Sequence, residues 1–204
     1  MPPREAREID YMGIEFPSGI DGENQRTSFH KLIKRKVQPT RYQDNSALRA
    51  SGLLESIKWM INNLGMTHFF SLTSSTYPRL TYEFLSSFKY VHPLGGPHTQ
   101  DTIKFRMFGQ NYTYSQDQMA NIFQFPHGDG FACEAPLESD WQSDGFGFWH
   151  QLTGKTTTTW EGLRATTIHN PAIRYLHRIL TNTIFGRENT TNVNSKELFL
   201  MQCA

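Results

Sequence analysis

The sequence has little that would support catalysis, a metal centre or passage through a membrane. Its 204 residues include two cysteines, Cys133 and Cys203, which lie far apart and lack the paired spacing of a zinc site. No apolar run approaches the roughly 18 to 20 residues that span a bilayer, and the first residues lack the hydrophobic core of a signal peptide. These absences predict an intracellular protein of the cytoplasm or nucleus, with free thiols, no membrane partner and no secretion.

An excess of charge of either sign is also missing. Lys and Arg number 20 against 19 Asp and Glu, so the net charge is +1 and global steering toward nucleic acid is weak. The balance conceals one local asymmetry, in which six cations fall within sixteen residues that contain no carboxylate. These candidate nucleic-acid-binding residues are Arg26, Lys31, Lys34, Arg35, Lys36 and Arg41.

Such a basic cluster has three interpretations. Its cations can neutralise phosphates and release counterions, while Tyr42 and His30 stack on unpaired bases. The same composition is typical of nuclear targeting signals. It is also typical of a segment that is merely solvated. The sequence leaves all three open.

The N-terminal fifth of the chain lacks hydrophobic periodicity. Residues 1–44 mix Pro, Gly and charge, which predicts a basic arm with little intrinsic order. Helical spacing begins after Asn45, where apolar side chains recur up to Gly65, a suitable residue to end a helix. We therefore expect the folded domain to occupy residues 45–204.

Two further helices follow from proline placement and periodicity. A helix is expected from Thr76, with Pro78 in its first turn and a buried face of Leu80, Phe84, Leu85 and Phe88. The clearest helix runs from Pro171 to Phe185 and buries Ile173, Leu176, His177, Leu180 and Ile184. A last helix is expected from Asn194 or Ser195.

Residues 102–119 predict a β-hairpin that leads into a capped helix. Ile103, Phe105 and Met107 alternate with polar residues, a Gly-containing turn follows at Gly109, and alternation resumes in residues 112–114. Ser115 and Gln118 have the spacing of a capping box at the start of the next helix.

Residues 126–147 are rich in Gly, Asp and Ser and predict a long irregular loop, followed by a short helix over 148–152. The aromatic residues of this region form either a lid over the core or an exposed contact surface. They are Trp141, Phe146, Phe148 and Trp149. The fold class expected overall is mainly α, a multi-helix single domain with one small two-stranded hairpin and a long irregular loop.

Several of these stretches together resemble a known family. They are the hairpin–helix cassette ending at 122–126, residues 77–85, 170–178, 185–187 and 196–200, which span about residues 45–201. Their order and spacing are similar to the first-open-reading-frame protein of Athila-type retrotransposons of the Gypsy class in flowering plants. More distantly, the cassette is similar to the plant mobile domain. The final helix shows no stop signal, so the chain is expected to be truncated at its C-terminal end relative to that family.

The resemblance implies a non-enzymatic, gag-like interaction module without a cofactor or small-molecule substrate. The Asp-Thr-Gly and Tyr-x-Asp-Asp motifs of retroelement enzymes and a zinc knuckle are absent from the sequence. RNA, bound through the arm, and a second copy of the chain are the candidate partners. The alternative is a domesticated or decayed copy that serves as a protein-binding adaptor. An enzyme would require His127, Cys133 and His150 to converge in a cleft.

Overall fold

The computed structural model describes residues 9–35, 37, 43–92, 101–126 and 138–204. The described part is mainly helical, as predicted, and it divides into two compact units where a single domain was expected. Unit 1 contains the described parts of Met1–Thr40 and Ser74–Met119; unit 2 contains those of Arg41–Thr73 and Ala120–Ala204. Within the described ranges, every helix is too short or too polar to traverse a bilayer.

Unit 1 consists of two helices and a small antiparallel sheet. The helices are α1 (Ile20–Leu32) and α5 (Pro78–Ser87), and the strands are β1 (Lys89–Val91), β2 (Thr102–Met107) and β3 (Gln110–Ser115). The strand order is β1-β2-β3, so the expected two-stranded hairpin gains a third strand. Tyr90 of β1 pairs with Ile103, thirteen residues away. Because this strand is formed by a partner distant in sequence, no local sequence pattern predicts it.

The expectation of a disordered arm is wrong for the described residues before position 36. α1 buries Phe29 completely, and that ring packs edge-on against Tyr82 of α5 at 5.8 Å between centroids. Gly22 lets the backbone at Pro17, just before α1, lie close against the first turn of the helix, because a Cβ at Gly22 would lie 1.6 Å from the carbonyl oxygen of Pro17. Aromatic packing and one tight glycine contact therefore order a segment whose apolar periodicity is weak.

α5 buries a different face from the one predicted. Its buried residues are Tyr82, Glu83 and Ser86, whereas Leu85 and Phe88 are exposed. The amide of Gln25 on α1 donates to the Ser86 hydroxyl at 3.4 Å. The small and polar side chains of α5 thus face α1 and the hairpin, an arrangement that hydrophobic periodicity alone cannot reveal.

Unit 2 is a helical bundle. Its helices are α2 (Asn45–Ala50), α3 (Leu54–Asn63), α4 (Thr67–Ser71), α7 (Glu138–Thr153), α8 (Pro171–Thr183) and α9 (Ser195–Cys203), with a 3-10 turn at Ala165–Thr167. The boundary between the units falls inside α6 (Gln116–Phe123). The helices expected after residue 45, at Pro171 and at Ser195 are confirmed. The core includes Leu48, Ile57, Trp149, Leu176, Leu180 and Leu198.

The expected loop over 126–147 is helical from residue 138 onward. Residues 127–137 lie outside the described part, and α7 continues without interruption through Gly145 and Gly147. Two indoles pack tightly against Gly145, since an added Cβ would lie 2.6 Å from Trp141 and 2.7 Å from Trp160. The glycine that suggests a loop is therefore required by helix packing.

Candidate nucleic-acid interface

The basic cluster begins on the outer face of α1. Asp21 and Glu23 occupy the first turn of this helix, and the basic residues follow toward its C-terminal end, an order that complements the helix dipole. Arg26 is exposed, and its guanidinium lies 5.3 Å from the centre of the Phe16 ring, within cation–π distance. The helix thus fixes the direction in which the first cation points.

The end of α1 carries three further exposed cations, Lys31, Lys34 and Arg35. None of the three forms an ion pair with a carboxylate among the described residues. The turn that follows the helix is anchored, because the Tyr82 hydroxyl donates to the main-chain oxygen of Arg35 at 2.8 Å. We call Arg26, Lys31, Lys34 and Arg35 the basic end of α1. It is a cationic surface on an ordered element.

The remaining predicted contacts divide into two groups. Lys36, Arg41 and Tyr42 lie outside the described residues. His30 is partly buried, and its Nε2 lies 2.9 Å from the hydroxyl of Tyr11, so this ring is engaged within unit 1.

A second feature of unit 1 is the turn between β2 and β3, which the sequence predicted at Gly109 but did not identify as a candidate functional surface. Phe108 and Gly109 form a two-residue loop with φ angles of 53° and 75°, the positive values that a type I′ turn requires. Bulky residues rarely adopt positive φ. Phe108 does so here, and it is 65% exposed to solvent. The turn therefore presents an aromatic ring to solvent.

A buried carboxylate fixes that turn. Glu83 is 1% exposed, its Oε2 accepts from the N–H of Phe108 at 3.1 Å, and its Oε1 accepts from the N–H of Gly109 at 2.8 Å. The Ser87 hydroxyl accepts from the N–H of Arg106 nearby, at 2.7 Å. No signal in the sequence pointed to this role, because the predicted apolar face of the helix places Glu83 on its polar side; the carboxylate is buried here because it is hydrogen-bonded.

Unit 2 contains a second buried carboxylate, Glu197. It accepts from Arg187 at 2.7 Å, Thr181 at 3.1 Å and the N–H of Asn194 at 2.9 Å, and His177 Nε2 lies 3.1 Å away. Burial alone would raise the pKa of Glu197, but the hydrogen bonds from His177 and Asn194 and the charges of His177 and Arg187 lower it overall. The oxygens are fully occupied, so the cluster serves to connect α8, α9 and the loop between them.

The structure also locates most of the residues on which an adaptor loop or an enzyme would depend. Trp149 and Trp141 are both buried in the core, so of the two alternatives for these aromatics the exposed contact surface is excluded for them. His127 and Cys133 lie outside the described residues, whereas His150 is exposed on α7. In the part of the chain that the structure describes, no three His, Cys, Asp or Glu side chains cluster as metal ligands.

Comparison with known proteins gives a match to a family, whereas none of the curated proteins and none of the solved structures matches the chain. One family model does match, that of the ATHILA ORF-1 family, and it covers residues 23–204. Both buried carboxylates and the basic end of α1 lie within the matched range. The chain therefore belongs to the ATHILA ORF-1 family of plant retrotransposons.

Proposed function

We propose that this retrotransposon-derived protein is a gag-like interaction module that binds RNA through the basic end of α1. The observation that carries the proposal is the exposure of Arg26 and Lys31 on α1 and of Lys34 and Arg35 in the ordered turn that follows it. Three of them, Lys31, Lys34 and Arg35, fall within five consecutive residues, and the Tyr82 hydroxyl anchors the turn that carries Arg35. That spacing suits successive phosphates along a single strand.

The physical basis of binding is counterion release. Each phosphate neutralised on a single strand contributes roughly −0.7 to the slope of log affinity against log salt. The expected interaction is consequently weak at high salt and largely independent of sequence. Helix-dipole complementarity and a targeting role are the competing explanations of the same residues, and neither of them requires RNA.

The test compares two matched pairs of substitutions. Deletion of residues 26–41 is unsuitable, because it would remove the fully buried Phe29. We would neutralise Lys31 and Arg35 to Gln, two cations four residues apart, and use Arg174→Gln/Arg178→Gln on α8 as the control. Both control residues are exposed, and the change in net charge and the spacing are the same.

RNA retention at low salt then distinguishes the explanations. Loss of binding in the Lys31/Arg35 variant, with binding kept in the control, supports the proposal. Equal weakening in both variants would indicate that net charge alone attracts RNA and would contradict it. Absence of binding by the unaltered chain would also contradict it.

A second candidate, a protein-binding adaptor in a domesticated or decayed copy, is favoured by the exposed Phe108. Energetically unfavourable backbone is usually kept where it serves a purpose, and here a buried carboxylate stabilises it. Phe108→Asn tests this role, because Asn tolerates positive φ and forms the favoured Asn-Gly turn. A bound protein lost by this variant, while the hairpin stays protected from amide exchange, would support the adaptor.

A further inference from the structure

The free edge of the sheet in unit 1 is unusually suited to pairing with another strand. Among the described residues β3 pairs with β2 alone, and the register is continuous from Thr102↔Ser115 to Met107↔Gln110, without a bulge. The strand contains neither proline nor a charged residue. Proteins normally use these devices to prevent edge strands from associating, and β3 has none of them.

The two-residue turn determines which backbone groups point outward. In such a hairpin the flanking pair, Met107 and Gln110, exchanges both hydrogen bonds, and bonded and non-bonded pairs then alternate. Tyr112 and Tyr114 therefore bond to β2. Asn111 and Thr113 direct their N–H and C=O groups away from it.

One outward group on this edge is already occupied. The N–H of Ser115 donates to the side-chain oxygen of Gln118 at 2.8 Å, within the capping box of α6. Asn111 and Thr113 are exposed residues, and among the described residues no group bonds to their outward N–H and C=O, so the edge is open at these two positions. Only they offer both a donor and an acceptor along the free edge of β3.

We propose that two copies of this chain associate through their β3 strands, antiparallel, about a two-fold axis at Tyr112. In this register Asn111 faces Thr113 of the second copy and each residue exchanges both hydrogen bonds, which gives four in all. A register centred on Thr113 would instead place Asn111 opposite Ser115. Because the N–H of Ser115 is occupied, the carbonyl of Asn111 would then lack a donor.

The side chains favour a second copy as the occupant. An aromatic row crosses the sheet, with centroid distances of 4.9 Å from Phe84 to Phe105 and 5.4 Å from Phe105 to Tyr112. The row ends at the half-buried Tyr112, beside the free edge. In the proposed dimer Tyr112 lies opposite its own copy in a non-hydrogen-bonded pair, where side chains are closest and aromatic pairs stabilise.

Charge points to the same occupant. Because β3 has no charged residue, two copies of it pair without repulsion between like charges. A charged peptide, in contrast, would find no opposite charge on this strand. In such an isologous contact the same edge of each copy is used, so the assembly closes as a dimer. Without this pairing the β3 edge of the sheet would remain open to other strands. The surface is separate from the basic end of α1, so the dimer does not depend on RNA binding.

Sedimentation equilibrium of the full chain, followed from dilute to concentrated solution, provides the first test. We expect a monomer–dimer equilibrium. Thr113→Pro removes only an outward N–H, which an edge strand tolerates, and should weaken the dimer roughly tenfold or more. Thr113→Ala keeps the N–H and should leave the dimer unchanged. A chain that is monomeric throughout, or a dimer indifferent to Thr113→Pro, would overturn the proposal.

Disulfide trapping tests the register and remains informative if the proline variant fails to fold. In a background with Cys133→Ser and Cys203→Ser, Tyr112→Cys should crosslink two copies under oxidation, because these residues face each other across the axis. Thr113→Cys should not, since its copy lies diagonally across the pair at a distance beyond disulfide reach. Crosslinking through position 113 but not 112, or through neither, would contradict the register.

Discussion

Among the described residues, unit 1 and unit 2 each bury one carboxylate, and the two are stabilised in different ways. Glu197 in unit 2 accepts from a cationic side chain, a hydroxyl and a backbone N–H, with a histidine at hydrogen-bond distance. Glu83 in unit 1 accepts from two backbone N–H groups of a hairpin turn. In both cases a helix residue fastens the loop beside it. The comparison shows that a buried charge here secures chain geometry.

The same comparison explains the family resemblance. Glu83 lies in the stretch 77–85, and Arg187 and Glu197 lie in 185–187 and 196–200, the segments that carry the likeness. Their side chains connect elements within each unit and are buried or partly buried. These residues of the resembling segments accordingly have a folding role.

The largest effect is expected at Glu197. Glu197→Ala leaves a buried histidine, a hydroxyl and an N–H without their acceptor, and should destabilise unit 2 by about 3–5 kcal/mol. Tryptophan fluorescence during urea unfolding reports this unit, because all four tryptophans lie in it. The matched control is Glu188→Ala, an exposed residue of the same loop, expected to change stability by less than about 0.5 kcal/mol. Equal losses would contradict the account.

A smaller effect is expected in unit 1. Glu83→Gln keeps one acceptor oxygen and turns an N–H₂ group toward a turn that offers only donors, at a cost of about 1–3 kcal/mol. Amide exchange at Phe108 and Gly109 should accelerate accordingly. Glu15→Gln changes an exposed carboxylate in the same unit and should leave these rates unaltered. Unchanged exchange in the Glu83 variant would show that the carboxylate does not fix the turn.

Acid should affect unit 2 through Glu197. Its pKa lies below the ordinary value of 4.5 in the folded protein, so the carboxylate contributes stability that is present above about pH 4.5. That contribution is lost as the pH falls through the lowered pKa. The difference in unfolding free energy between the unaltered chain and Glu197→Gln should therefore shrink below pH 4.5. A difference that stays constant through the acid range would refute this.

The smallest effect has the opposite sign. Phe108→Asn relieves a bulky residue of positive φ and should stabilise the hairpin by at most about 1 kcal/mol. Slower amide exchange across β2 and β3 would be the readout, with Gln110→Asn on the same hairpin as a control. Faster exchange would mean that the Phe108 ring stabilises the hairpin. Its unusual backbone would then be explained by folding, and the exposed Phe108 would no longer favour the adaptor.

Local signals predicted those parts of the fold that local interactions determine. The hairpin of β2 and β3 and the capping box of Ser115 and Gln118 are confirmed, since turn and cap residues lie within a few positions of their partners. α8 is confirmed as well, with Asn170 as N-cap and Pro171 in its first turn. The last helix begins at a second capping box, formed by Asn194 and Glu197.

The missed elements depend on distant partners. β1 needs Ile103, α1 needs Tyr82, and α7 needs Trp160 to fill the space over Gly145. The cations of the basic end of α1 were identified from composition, but the helix and the anchored turn that carry them were not predicted. The open edge of β3 required the pairing register, which no single-sequence pattern supplies.

The measurement that most directly tests the central claim is the salt dependence of RNA affinity, by anisotropy of a labelled single strand. If Lys31 and Arg35 each neutralise a phosphate, Lys31→Gln/Arg35→Gln should make the slope of log affinity against log salt shallower by about 1.4. The Arg174→Gln/Arg178→Gln control should keep the slope of the unaltered chain. An unchanged slope in the Lys31/Arg35 variant would contradict RNA binding through the basic end of α1.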